Sequence, residues 1–224
     1  MITLRRLLWT LAAISSAGVA LYSYRYLGYS GTRSPDVLAN AHATPWLVLH
    51  VVGSATALLF GSVQLVPRVR SRWPWLHRRV GRLYASGCLV GGTGGLVMAF
   101  GSTAGPWATL GFGGLAIAWL ATTTMAWRTA VTRDYAAHRA WAIRSWSLTF
   151  AAVTFRLCLP IFPLLGLPFV EGYRAASIYA WLINLGVAEW IVRRPGRTAS
   201  QRAPINAADQ DSRRESAPPV FAPG

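Results

Sequence analysis

Six apolar stretches, each close to a membrane thickness in length, constrain this chain more than any other feature; they run approximately over residues 7–24, 46–66, 80–100, 107–127, 141–159 and 175–192. A helix rising ~1.5 Å per residue needs ~20 residues to cross ~30 Å of hydrocarbon, so each stretch predicts a transmembrane helix. Glycine and proline within the stretches do not oppose this, because both are commoner in membrane spans than in soluble helices. With 53% hydrophobic residues, 13% charged residues and a mean hydropathy of +0.35, a soluble enzyme is excluded. The expected fold is all-α, a polytopic bundle of six spans over residues 1–194. Residues 195–224 are rich in Ala, Pro, Ser and Arg without apolar periodicity, and read as a disordered cytoplasmic tail.

The charge is lopsided: 22 basic residues, every one of them Arg, stand against 7 acidic ones for a net +15. In a soluble protein that excess points to nucleic acid. In a membrane chain it marks connections that face anionic lipid, so lipid and not nucleic acid is the expected partner. The arginines fall on alternate connections: Arg5 and Arg6, then Arg68, Arg70, Arg72, Arg78 and Arg79, then Arg128, Arg133 and Arg139, then Arg193, Arg194 and Arg197. The connections between are nearly neutral. That alternation predicts both termini in the cytoplasm of a bacterial-type inner membrane. The first stretch, with Arg5-Arg6 ahead of it and Ala17–Ala20 near its end, reads as a cleavable signal or an uncleaved anchor; its length favours the anchor. Cys88 and Cys158 lie inside apolar runs and read as packing residues, not as a disulfide or metal site.

Polar side chains inside a bilayer are costly, and those that occur usually face a bundle interior. Projection at ~100° per residue puts His50, Ser54, Ala57, Gly61 and Gln64 on one face of the second span. The same projection aligns His77, Gly81, Tyr84, Cys88, Gly91 and Gly95 on the third, and His138, Ala142, Ser145, Thr149, Ala152 and Arg156 on the fifth. Depth then sorts the polar groups into two layers. The inner one holds His77, His138, Arg82, Arg144 and Glu189, with Glu189 expected to be neutralised by Arg82 or Arg144. The outer one holds His50, Arg156 and Tyr179.

His50, Gly61, Gln64 and Arg70, "HRRVGRLY" at His77–Tyr84, "HRAWAIRS" at His138–Ser145 and "RLCLP" at Arg156–Pro160 resemble a bacterial integral-membrane family catalogued as domain of unknown function twenty-three-oh-six. The resemblance implies a polytopic membrane protein and supplies no activity. More distantly the pattern is similar to the cytochrome b561 type of six-span protein, in which histidines on neighbouring helices clamp haem irons at the two membrane faces. That similarity implies one haem b, with His77 and His138 as ligands to its iron. The fourth span has no histidine to partner His50, so an outer haem is unsupported. Imidazoles at equal depth can supply both axial ligands, Arg82 and Arg144 can pair with propionates, and Gly81 leaves room for a flat macrocycle. On this reading the chain is a membrane redox protein.

Three other readings stand beside it. The two "HR" motifs can be interfacial anchors on lipid phosphate. A small-solute transporter would use the His50–Arg156 layer to bind an anion, with Asn184 near the midplane. A cofactor-free structural or lipid-interacting protein needs only the packing and the arginine loops. No nucleophile–base constellation, phosphate loop or HExxH motif is present, so a hydrolase or kinase is not indicated.

Overall fold

A computed structural model describes residues 3–28 and 39–194; the expected tail, 195–224, lies outside the described residues. Among the described residues eight α-helices follow in chain order: α1 (Leu4–Ser23), α2 (Trp46–Gln64), α3 (Pro67–Arg72), α4 (Pro74–Phe100), α5 (Pro106–Val131), α6 (Tyr135–Cys158), α7 (Ile161–Leu164) and α8 (Phe169–Arg193). A 3-10 turn, Tyr24–Leu27, extends α1. Six helices, α1, α2, α4, α5, α6 and α8, are long and apolar enough to cross a membrane, and no strand occurs among the described residues. The all-helical six-span expectation holds.

The helix starts differ from the apolar runs for a physical reason. α4, α6 and α8 begin about one and a half turns earlier than hydropathy places them, at Pro74, Tyr135 and Phe169. Hydropathy marks the hydrocarbon-length portion, whereas the backbone stays helical until a start signal. Pro74 and Pro106 open α4 and α5, where a missing N–H costs nothing. Asp134 caps α6 by accepting from the Ala137 N–H at 3.0 Å.

Contacts between named residues give the helix order. α2 and α4 run antiparallel, so close together that a Cβ on Gly53 would lie 2.6 Å from the Gly87 carbonyl oxygen. Small-residue faces permit that approach in a membrane, where van der Waals packing replaces the hydrophobic drive between helices. α5 and α6 are antiparallel through Trp119–Thr149 and Thr123–Ser145. α8 runs antiparallel to α6 through Asn184–Thr154 and Glu189–Arg144, and alongside α5 through Trp181 near Gly114. α1 joins at Tyr24 Oη–Thr56 Oγ1 (3.4 Å) and buries Ala20 with Ala55, Leu58 and Val153. Consequently the arginines of α3, the α5–α6 turn with Arg133, and Glu189 of α8 share one end of the bundle, the arginine-rich end.

Residues 1–189 form one compact unit. Of the second unit, 190–224, residues 190–194 are described, and within them Arg194 stacks 3.3 Å from the centre of the Trp190 ring.

Candidate functional site

At the arginine-rich end, Glu189 is paired with Arg144, through Nε at 2.5 Å and a second guanidinium nitrogen at 3.1 Å. The fork geometry matches a carboxylate with two parallel bonds. Trp141 lies under the same guanidinium, 4.7 Å from ring centre to Cζ. Arg82 is exposed and makes no ion pair among the described residues, so Arg144 is the partner of the two considered.

His77 and His138 each have a hydrogen-bond partner on a neighbouring helix. His138 Nδ1 bonds the Ala126 carbonyl of α5 at 2.8 Å. Gln64, reaching over from α2, donates to His77 Nδ1 (3.1 Å) and to the His77 carbonyl (3.2 Å), and accepts from the Gly81 N–H (3.2 Å). With Gln64 donating, His77 Nδ1 is the acceptor and the ring proton sits on Nε2. The Gln64 amide also lies 3.1 Å from where a Cβ on Gly81 would sit, in the space a macrocycle needs. With Arg144 held by Glu189 and Arg82 exposed, this arrangement does not support the haem that the histidine pattern suggested. Among the described residues no cluster of three or more His, Cys, Asp or Glu could hold a metal ion.

Midway along the bundle a buried polar network ties three helices. Tyr84 Oη on α4 meets Ser145 Oγ and Thr149 Oγ1 on α6, each at 2.9 Å. From α5, Thr123 Oγ1 meets Ser145 Oγ at 2.7 Å and the Trp119 indole donates to Thr149 Oγ1 at 2.9 Å. Helical projection found the Tyr84, Ser145 and Thr149 faces; it missed Trp119 and Thr123, because the fourth span has no charged residue to set its inward face. Asn184, expected near the midplane as a solute ligand, instead clasps α6 through Thr154 and the Ser147 carbonyl.

The end opposite the arginines holds the feature most suggestive of chemistry. Two adjoining cavities, about 270 Å³ and 230 Å³, share His50, Ser54, Met98, Ala152, Arg156 and Tyr173 as their common wall. Either is many times the ~30 Å³ that one water takes in the liquid. The first lies among α2, α4, α5, α6 and α8; the second lies between α1 and the α2–α6 pair. His50 is fixed by a bond from Nδ1–H to the Gly91 carbonyl (2.8 Å), and its ring lies across Gly95, where a Cβ would be 2.8 Å from Nδ1. That hydrogen bond leaves Nε2 as an acceptor. Arg156 donates to the Ala152 carbonyl (2.9 Å) and to Ser23 Oγ (3.4 Å). Beside it Phe112, Phe155 and Tyr173 form an edge-to-face trio with centroids 5.4–5.5 Å apart.

Arg156 has no carboxylate partner among the described residues. Their three acids are engaged elsewhere: Asp134 caps α6, Glu171 pairs with Arg174 at 2.7 Å, and Glu189 holds Arg144. Of the outer layer expected from sequence, His50 and Arg156 are thus brought together, while Tyr179 is 61% exposed on the outside of the bundle. Tyr173 stands in the cavity wall instead. The error follows from starting the sixth span at residue 175; α8 begins at Phe169, so Tyr173 is helical and sits beside Phe155.

Residues 47–192 match the family described as predicted membrane protein (DUF2306). No curated protein and no solved structure matches the chain.

Proposed function

The chain belongs to the DUF2306 family of predicted membrane proteins, and from its polar cavity we propose that it binds a small organic acid within the membrane, as a solute-binding or solute-translocating protein. The observation that carries this reading is Arg156, a guanidinium in a cavity wall with no acidic partner among the described residues. A charge at that depth is costly unless compensated, and a carboxylate in the cavity compensates it through charge-assisted hydrogen bonds. His50 supports the same chemistry. With its Nδ1–H given to Gly91, its Nε2 can take the proton of an acid that arrives neutral: the acid O–H breaks, the N–H forms, and the carboxylate pairs with Arg156.

Positive-inside bias orients the site: the arginine-rich end faces the cytoplasm, and the cavity lies in the outer half of a bacterial-type inner membrane. The test is equilibrium binding of octanoate and of octanol to the full chain in lipid nanodiscs. Octanoate is expected to bind more tightly than octanol, and Arg156→Gln to weaken octanoate by about tenfold or more while leaving octanol unchanged. Equal binding of acid and alcohol, indifferent to Arg156→Gln, would contradict the reading.

A further inference from the structure

The register of the helices around the larger cavity says more about the ligand than its charge. Resting on the acid-binding reading above, we propose that the site takes an amphiphilic monocarboxylic acid. Its carboxylate sits at Arg156 and His50, and its apolar body points along the bundle axis toward the middle of the membrane.

Four of the five helices around the cavity line it over similar lengths. On α6, Arg156 and Leu148 line the cavity eight residues apart; on α8, Tyr173 and Trp181 do so at the same separation. On α5 the pair is Phe112 and Trp119, seven apart, and on α4 it is Ala99 and Gly91, eight apart. At ~1.5 Å per residue these intervals give a depth of about 10–12 Å along these four helices. Contacts tie three of these helices at each end. Phe112, Phe155 and Tyr173 touch at the mouth; at the floor Trp119 bonds Thr149, and a Cβ on Gly92 would meet the Trp119 ring at 3.5 Å.

Polarity is sorted along that axis. Asn40, Ser102 and Arg156 stand at the mouth, His50 lies deeper with its ring bonded to the Gly91 carbonyl, and Leu115, Ala116, Leu148, Ala180 and Trp181 form the apolar lining. The hydroxyls below the mouth are engaged: Thr149 serves Tyr84 and Trp119, Ser177 bonds the Arg174 carbonyl, and Ser54 lies 3.4 Å from His50 Nδ1. No charged side chain lines the deep portion, so a second charged group on the ligand would find no partner there. A depth of ~10–12 Å accepts roughly eight to ten extended backbone bonds. A hydrophilic acid such as acetate would leave the floor empty, and burying apolar surface there is where an amphiphile gains affinity.

The experiment is a chain-length series, acetate, hexanoate, octanoate and decanoate with decanol as the uncharged control, bound to the full chain in nanodiscs at fixed pH. Affinity, corrected for partition into the lipid, is expected to rise by up to ~fourfold per methylene, the factor set by burying one CH₂, and to level off near ten carbons. Ala180→Leu, which adds volume at the floor, is expected to weaken decanoate by about tenfold and leave hexanoate unchanged. Ala116→Leu serves the same purpose should the first variant fail to fold. Acetate binding as tightly as decanoate, or a floor variant that weakens hexanoate and decanoate alike, would overturn the amphiphile while the acid-binding reading stood. Decanol binding as tightly as decanoate, in the parent chain and in Arg156→Gln, would remove both.

Discussion

Arg156 and Arg144 lie on the same helix and show how a charge is treated in opposite ways within one bundle. Arg144 is neutralised internally by Glu189 and stacked on Trp141; Arg156 is held by a backbone carbonyl and a serine hydroxyl, and lines a cavity. Sequence alone placed both at their levels, because depth along a helix follows from counting residues. It did not separate Arg82 from Arg144 as the partner of Glu189, since that choice depends on how α4 and α6 are rotated against α8. Nor did it find Tyr173 over Tyr179, which needed the true start of α8. The pair yields a prediction: Glu189→Gln leaves the Arg144 guanidinium half-buried and unpaired, costing about 1–3 kcal/mol. Thermal unfolding in detergent of Glu189→Gln, Arg144→Gln and the double variant is expected to show the double costing less than the sum. Strict additivity would dissolve the coupling.

Among the elements, α2 and α4 carry the seam that seats His50. The small-residue faces of both helices were legible from spacing alone, because close backbone approach needs small residues at helical intervals. Gly53→Ala pushes a methyl into the α4 backbone and is expected to lower the unfolding midpoint markedly. Gly186→Ala, with open space around its Cβ, is expected to leave it unchanged or raise it slightly. What spacing hid was the occupant of the gap at Gly81. Gln64 was read as part of the α2 stripe, and only the antiparallel register of α2 on α4 brings it against His77. Two histidines at equal depth therefore resemble a ligand pair in sequence while one of them has its lone pair in use. The protein purified from haem-replete cells is expected to show no Soret band in the oxidised or dithionite-reduced state. His77→Ala and His138→Ala are expected to be mild. A Soret band that either substitution abolishes would reverse this conclusion.

For the molecule as a whole, six spans and the position of the charged connections were readable because hydrocarbon thickness sets helix length and lipid charge sets loop composition. The cavities were not, since they arise where small residues on one helix meet rings on another, a pairing that exists only after packing. The orientation proposed from the arginines is testable: reporter fusions after Arg72 and Arg133 are expected to report cytoplasm, and fusions at Ser102 and Leu167 the exterior. The opposite pattern would place the cavity in the inner half. The most direct test of the acid site is photolabelling with an octanoic acid bearing a diazirine near the end of its chain, followed by mapping of the labelled peptides. The label is expected on the cavity walls, between Leu148 and Phe155 on α6 and between Tyr173 and Trp181 on α8. Excess octanoate should displace it, octanol should not, and Arg156→Gln should abolish it. Label spread evenly over outward-facing residues such as Ile117 and Ile183, and undiminished in Arg156→Gln, would contradict the account.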